Sequence, residues 1–120
     1  MVVDDERNIV TMISQILTEL GYHVISATSG HEALILSDQY AQTIDMVLTD
    51  IIMPELNGPD LVRMLRQKRP TLKAVFMSGY ASNAAAQIGV LKLDTAFLQK
   101  PFSSETLTHC IRKVLDAPWK

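Results

Sequence analysis

The stretch MVLTD, residues Met46–Asp50, is a short apolar run of five residues that ends in a carboxylate. Because it is apolar without alternation, it predicts a strand buried on both faces, as in a parallel sheet. Three other short, mainly apolar runs also end at polar residues: Met1–Val3 before Asp4-Asp5, Ala74–Met77 before Ser78, and Ala96–Gln99 before Lys100. Residues that follow the strands of a parallel sheet meet at one edge, so we expect these side chains to converge.

Helical patterns alternate with these strands and with a further short strand at Val24–Ala27. The predicted helices are Arg7–Leu20, about 30–40 after the capping box Ser29–Glu32, a helix that begins at Pro59 and stops before Pro70, a weakly patterned helix at about 82–91, and a last helix capped by Ser103. In the third of these, Met64 is assigned to the inner face together with Leu61 and Leu65. Five strand–helix units predict a single α/β domain over residues 1–120. Its sheet is a doubly wound, five-stranded parallel sheet of order 2-1-3-4-5, the flavodoxin-like (βα)5 arrangement.

The composition limits the function classes. At 120 residues the chain can bury a core without disulfides. The formal net charge of -2 argues against direct nucleic-acid binding and against a membrane surface as partner. Cys110 is the single cysteine, which excludes an intrachain disulfide, and a buried apolar role is expected for it. Neither an apolar run of membrane-spanning length nor a signal-peptide pattern is present, so we expect a cytoplasmic location.

Three carboxylates gathered at one edge would not all stay ionised without a compensating charge. At about 4 Å, two carboxylates repel by about 4 kcal/mol when the effective dielectric constant is near 20. Mg²⁺ relieves such repulsion, and it prefers one or two carboxylates, several waters and a phosphate oxygen. Asp4, Asp5 and Asp50 therefore predict a magnesium site, with the backbone carbonyl of Ile52 as a further oxygen ligand.

A carboxylate beside such a site can be the nucleophile of phosphoryl transfer. Asp50 is the candidate, because it stands alone after a central strand and leaves the acidic pair to hold the metal. Lys100 would contact the phosphoryl group as a point charge, and Ser78 would donate a hydrogen bond to one of its oxygens. Each feature alone has a structural explanation, since an Asp after a strand is commonly a turn or helix cap. Their combination at four strand ends favours the site.

The ordered motifs resemble the receiver domain of two-component response regulators over essentially the whole chain. These motifs are VVDDE at 2–6, LTDIIMP at 48–54, NG at 57–58, MSGYA at 77–81 and LQKPF at 98–102. The roles implied by the resemblance are a phosphoacceptor for Asp50, acidic magnesium residues for Asp4 and Asp5, a switch hydroxyl for Ser78 and a phosphate contact for Lys100. A cis peptide bond before Pro101 is implied as well.

The resemblance also implies which residue takes part in the conformational switch and which residues set the lifetime of the phosphoryl group. Phe97 occupies the position of the aromatic side chain in the fifth strand that turns inward when a receiver is phosphorylated, where many receivers have Tyr. Ile52 and Tyr80 occupy the positions that flank the path of the attacking water. A bulky aliphatic and an aromatic side chain there predict slow self-dephosphorylation.

The implied phosphodonor is a partner, either a histidine kinase or a histidine phosphotransfer domain. The sequence around Ser78 and Lys100 is similar to that of C-terminal receivers of hybrid histidine kinases. The alternatives are a stand-alone regulator and a regulator with an effector domain. The parent protein would then be an enzyme, whereas the domain itself would have at most slow autophosphatase activity. Only three residues precede Asp4, which suggests further residues upstream. Dimer formation is left open.

Two other function classes compete with the receiver. One is a magnesium-dependent phosphatase with an aspartate nucleophile. Such enzymes have an Asp-x-Asp motif at the end of the strand that carries the nucleophile, whereas Asp50 here is followed by Ile51-Ile52. The other is a degenerate receiver that acts only as a binding module, and the intact set of acidic, hydroxyl and ammonium residues argues against it.

Overall fold

The sheet has the predicted strand order. The computed structural model describes residues 1–40, 44–79 and 96–116, and in this part of the chain five strands pair in parallel in the order β2-β1-β3-β4-β5. The strands are β1 (Val2–Val3), β2 (Ser26–Ala27), β3 (Met46–Asp50), β4 (Lys73–Ser78) and β5 (Ala96–Gln99). The doubly wound α/β fold is therefore confirmed. The helix expected at about 82–91 and the side chain of Tyr80 lie outside the described residues.

Helices cover both faces of the sheet. They are α1 (Arg7–Glu19), α2 (Gly30–Gln39), α3 (Gly58–Lys68) and α4 (Ser104–Asp116), as far as the described residues extend. On one face a cluster of buried side chains joins the sheet to α2 and α3, with Phe76 and Leu61 among its members. On the other face a second cluster joins it to α1 and α4 around Leu48, Ile13 and Leu107. A central strand buried on both faces explains why β3 begins with three consecutive apolar residues, Met46–Leu48.

Two local expectations were wrong. The strand expected at Val24–Ala27 is reduced to Ser26–Ala27, because β1, its partner strand among the described residues, offers two residues for pairing. Met64 is exposed, and Val62 takes the inner position instead, together with Leu61 and Leu65. At 100° per residue, the centre of the face that those three residues share lies more than a quarter-turn away from position 64.

The helix caps near the functional edge are made by side chains. Ser29 Oγ accepts a hydrogen bond from the Glu32 N–H at 3.0 Å, as the capping box predicts. The Glu32 carboxylate accepts from the N–H of Thr28 at 2.6 Å, one residue earlier than the usual reciprocal bond. At α3, Asn57 Oδ1 accepts from the Asp60 N–H at 2.8 Å, a cap that the sequence pattern did not single out. These caps fix the loops that approach the edge of the sheet.

Candidate functional site

Strand register brings the predicted site residues to one edge of the sheet. Val3 pairs with Thr49, so Asp4 and Asp50 follow on adjacent strands. Ser78 pairs with Gln99 at the ends of β4 and β5, and Lys100 comes directly after that pair. The convergence expected from four separate strand ends is therefore present in the fold.

The three carboxylates form one cluster. Asp4, Asp5 and Asp50 each offer an oxygen atom, and these oxygens all lie within 4.8 Å of one another. Asp4 is fully buried and Asp50 is 9% exposed, whereas Asp5 faces solvent. Two sheltered carboxylates and one open to water form a pocket that a cation can enter from one side.

Lys100 supplies the positive charge within this cluster. Its Nζ donates to Asp4 Oδ2 at 2.7 Å and lies 3.5 Å from Asp50 Oδ2. Backbone donors hold the other carboxylate oxygens, because the Glu6 N–H donates to Asp4 Oδ1 at 2.9 Å and the Ile51 N–H donates to Asp50 Oδ1 at 3.0 Å. The two sheltered carboxylates are thus oriented by one shared ammonium group and by the backbone.

The pKa values reflect this crowding. Burial raises the pKa of Asp50 to about 6, with Lys100 opposing the rise and the charges of Asp4 and Asp5 adding to it. The pKa of Asp5 is raised as well, by partial desolvation and by the neighbouring Asp4. Burial alone would lower the pKa of Lys100, but its hydrogen bond to Asp4 and the nearby carboxylates raise it. A single ammonium group does not fully compensate three carboxylates.

The cluster suits a hard divalent cation. Carboxylate oxygens are the ligands that Mg²⁺ selects, and the raised pKa values of Asp5 and Asp50 show that more positive charge would be favourable here. Receiver domains generally bind Mg²⁺ at an acidic pocket of this kind. Ile52 lies two residues after Asp50 with its side chain 48% exposed, on the loop that borders the cluster.

A groove of about 690 Å³ opens over the cluster. Its floor includes Asp50, Ser78 and Lys100, and its walls include Ile9 and Met12 of α1. Neither wall residue was among the predicted site residues. The helical pattern of residues 7–20 gives no sign that the first turns of α1 border the strand ends.

Backbone features complete the edge. The Lys100–Pro101 peptide bond is cis, as the resemblance implied. Ser78 is buried at the end of β4, and its carbonyl oxygen accepts the Lys100 N–H at 2.8 Å. The ammonium-bearing residue is thereby tied to the strand that carries the hydroxyl. Phe97 of β5 is 37% exposed.

Lys100→Ala is expected to lower the free energy of unfolding in metal-free buffer by about 2 kcal/mol, because it leaves the buried Asp4 carboxylate without its ammonium partner. Urea unfolding in EDTA measures this loss, and added Mg²⁺ should recover part of it. The matched control is Lys68→Ala. Lys68 pairs with Asp38 at 2.6 Å, but both side chains are more than half exposed, so a change within about 0.5 kcal/mol is expected. Equal losses for the two variants would contradict a special role for the buried pair.

Comparisons with known proteins agree with this geometry. Residues 1–112 match the family described as response regulator receiver domain. The chain is 36% identical over 116 residues to the sensor kinase CckA of Brucella abortus, covering 97% of this chain and 12% of that protein. It is 30% identical over 117 residues to the response regulator receiver protein CpdR of the same organism, covering 98% of this chain and 96% of CpdR.

A solved structure gives the same picture. The receiver domain from the hybrid histidine kinase CckA superimposes with a TM-score of 0.81 at 31% identity, and 96% of each chain is covered. The chain therefore spans a small part of one relative and nearly all of another. Among the described residues, no helix combines the length and apolarity needed to cross a bilayer.

Proposed function

Because the chain belongs to the response regulator receiver domain family of two-component systems, we propose that Asp50 accepts a phosphoryl group from a phosphohistidine. The observation that carries this proposal is the cluster of Asp4, Asp5 and Asp50 oxygens within 4.8 Å of one another, beside Lys100. Asp50 is the best acceptor of the three. Asp4 is fully buried and bound to Lys100, and Asp5 is the most open to water.

In the proposed step, an ionised Asp50 oxygen attacks the phosphorus of the donor. A P–O bond forms while the P–N bond to the donor imidazole breaks, and the ring, already protonated on its other nitrogen, takes the electron pair of the broken bond and leaves as neutral imidazole. A pKa of about 6 leaves Asp50 mostly ionised at neutral pH. Mg²⁺ held by Asp4, Asp5, Asp50 and the Ile52 carbonyl would supply positive charge to the phosphoryl oxygens.

Lys100 and Ser78 complete the proposed site. Lys100 is 3.5 Å from Asp50 Oδ2, so a small shift would bring its ammonium group to a phosphoryl oxygen. The added group carries a charge of about -1.5 to -2, which favours any state that brings the Ser78 hydroxyl closer. We infer that Phe97, exposed here, turns inward in that state. The result would be a population shift at the β4–β5 edge.

Ile52 is proposed to lengthen the life of the phosphoryl group by shielding it from water, since its aliphatic side chain is exposed beside the cluster. We expect a wild-type half-life much longer than seconds in magnesium buffer. An Ile52→Asn variant, whose amide can orient water, should lose the group about tenfold faster. Decay of the labelled protein measures both rates. Ile35→Asn, an equivalent change at an exposed position on α2, is the control. A wild-type half-life of seconds would reject the shielding role of Ile52.

Tyr80 is proposed to shield the phosphoryl group together with Ile52.

The donor is proposed to be a histidine kinase or a histidine phosphotransfer domain in the cytoplasm, since receiver domains take phosphate from such proteins. Residues 1–120 are proposed to act as one domain. The similarity to the sensor kinase CckA supports an origin in a hybrid histidine kinase. The match over nearly the whole of CpdR supports the alternative of a stand-alone regulator.

Incubation with a small phosphodonor and Mg²⁺ tests the proposal and separates it from the other two classes. The expected result is one stable phosphoryl group per chain when Mg²⁺ is present during the incubation, and no labelling when EDTA is present instead. Continuous release of phosphate without stable label would indicate a phosphatase. Absence of both label and turnover, with the fold intact, would indicate a degenerate receiver that acts by binding.

A further inference from the structure

The loop between β3 and α3, residues 51–57, folds back on itself directly after Asp50. The Gly58 N–H donates to the Ile51 carbonyl at 2.9 Å, and the Leu56 N–H donates to the Pro54 carbonyl at 2.7 Å. Glu55 has a φ of 69°, in the left-handed region that residues with a side chain rarely adopt. A loop with such a conformation persists only where the surrounding structure holds it.

Side-chain packing supplies part of that hold. Ile51 and Met53 are buried in the cluster under α2 and α3, and Leu56 packs against the same cluster. Ile52, between the two buried residues, is exposed and lines the groove beside Asp50. The conformation of Ile52, in both side chain and backbone, therefore depends on how the buried residues Ile51 and Met53 pack.

Leu56 packs directly against the backbone of α2 at Gly30. A Cβ atom added to Gly30 would lie 2.8 Å from Leu56 Cδ2 and 2.9 Å from its Cβ and Cγ. These separations are shorter than carbon–carbon contacts allow. Because the Leu56 Cβ is among the close atoms, rotation of the Leu56 side chain alone could not relieve the overlap, and the loop backbone would have to move.

The first turn of α2 is itself firmly held, so it can act as a support. Ser29 Oγ accepts the Glu32 N–H at 3.0 Å, and Glu32 accepts from both the N–H and the hydroxyl of Thr28 at 2.6 Å and 3.2 Å. A displacement between Gly30 and Leu56 would therefore appear in the loop rather than in the helix.

We propose that Gly30 and Leu56 are positioning residues for the phosphoacceptor site, because their contact sets the backbone of the loop that carries the Ile52 carbonyl. This inference rests on the proposed magnesium role of that loop. The contact acts through position alone, since neither residue belongs to the carboxylate cluster.

Gly30→Ala tests the contact by adding one methyl group. In metal-free protein, amide exchange at Leu56 and Gly58 should rise about tenfold. The Mg²⁺ dissociation constant, measured by titration calorimetry, should rise about tenfold. Such a loss of affinity is typical when a residue that supports metal ligands is changed. Labelling should be slow at limiting Mg²⁺ and recover at saturating Mg²⁺. Because Mg²⁺ also stabilises any weakened fold, the local effect is recognised by amide exchange that rises at Leu56 and Gly58 but not in the central strands of the sheet.

A second variant guards against misfolding of the first. Leu56→Ala removes two of the three crowded atoms, Cγ and Cδ2, so it loosens the loop without overlap. In the double variant Gly30→Ala/Leu56→Ala, the loss of Mg²⁺ affinity should be smaller than the product of the two single losses. His31→Ala changes an exposed neighbour in the same turn and should leave Mg²⁺ affinity within about twofold of the wild-type value.

The outcomes separate this inference from the proposed function. If Leu56→Ala and Gly30→Ala both keep wild-type exchange rates or wild-type Mg²⁺ affinity, the positioning role is overturned. If the wild-type protein itself neither binds Mg²⁺ nor takes up label, the proposed function fails and the positioning role fails with it. Slower loop exchange in Gly30→Ala than in the wild type would also overturn the inference.

Discussion

Asp50→Asn is expected to reduce phosphorylation by a small phosphodonor to the background of the assay while making the metal-free domain more stable. Asn keeps the shape of the side chain and an oxygen that accepts the Ile51 N–H, now 3.0 Å from Asp50 Oδ1. It removes the ionised oxygen that attacks phosphorus. Label counted per chain, with and without Mg²⁺, measures the first effect.

The gain in stability follows from the raised pKa of Asp50, from 3.8 to about 6. A carboxyl group with a higher pKa in the folded state binds its proton more tightly there, so the wild type gains stability as the pH falls. Near pH 7 the variant should therefore be more stable by about 1–2 kcal/mol, after allowance for relaxation around the site. The difference should shrink as the pH falls below about 6 and vanish only below about pH 3, where the carboxyl group is protonated in both the folded and the unfolded chain.

Urea unfolding of both proteins in EDTA across this pH range measures the difference, and titrating groups outside the carboxylate cluster cancel between them. Added Mg²⁺ should reverse the order, because a ligand that binds only the folded wild type stabilises it. Undiminished labelling of the Asn variant would assign the phosphoryl group to another residue. A difference that grows toward acid pH would contradict the electrostatic account.

Gly58→Ala should lower the free energy of unfolding by about 3 kcal/mol or more, and many molecules should fail to fold at 37 °C. The new Cβ would lie 2.1 Å from the backbone oxygen of Asp50 and 3.2 Å from the Cα of Ile51. Neither obstacle is a flexible side chain, so α3 must separate from the end of β3. The bond from the Gly58 N–H to the Ile51 carbonyl, 2.9 Å long, would be strained at the same time.

The control for this variant is Gly79→Ala, since a Cβ on Gly79 would meet no atom of the described residues within 4 Å. Its free energy of unfolding should stay within about 0.5 kcal/mol of the wild-type value. Thermal and urea unfolding of the two variants give the comparison. Similar stabilities for Gly58→Ala and Gly79→Ala would show that the turn after β3 has room that the structure does not contain.

Much of the fold and site could be predicted from local chemistry. Apolar runs ending in Asp4, Asp50, Ser78 and Lys100 predicted parallel strands, and the observed register brings these ends together. Parallel strands place their carboxyl ends at one edge whatever the details of packing, so this prediction needed no coordinates. The same holds for the Ser29 cap of α2, whose hydrogen bond is local.

Packing across distant segments could not be predicted in this way. Met64 was assigned to the core because it is apolar, whereas the direction in which α3 meets the sheet leaves it exposed. The groove walls at Ile9 and Met12 depend on how α1 lies against the strand ends. An apolar residue at helical spacing has the same pattern in either place, so only the neighbouring elements distinguish core from groove.

The sequence by itself determined which residue types stand at the strand ends, and hence the chemistry of an acidic pocket with one lysine. Only the tertiary structure decided that Lys100 is shared between Asp4 and Asp50, and that Gly58 lies against the Asp50 carbonyl. The physical reason is one of range. Strand and cap signals act between residues close in the chain, whereas the shared ammonium group joins residues 96 positions apart.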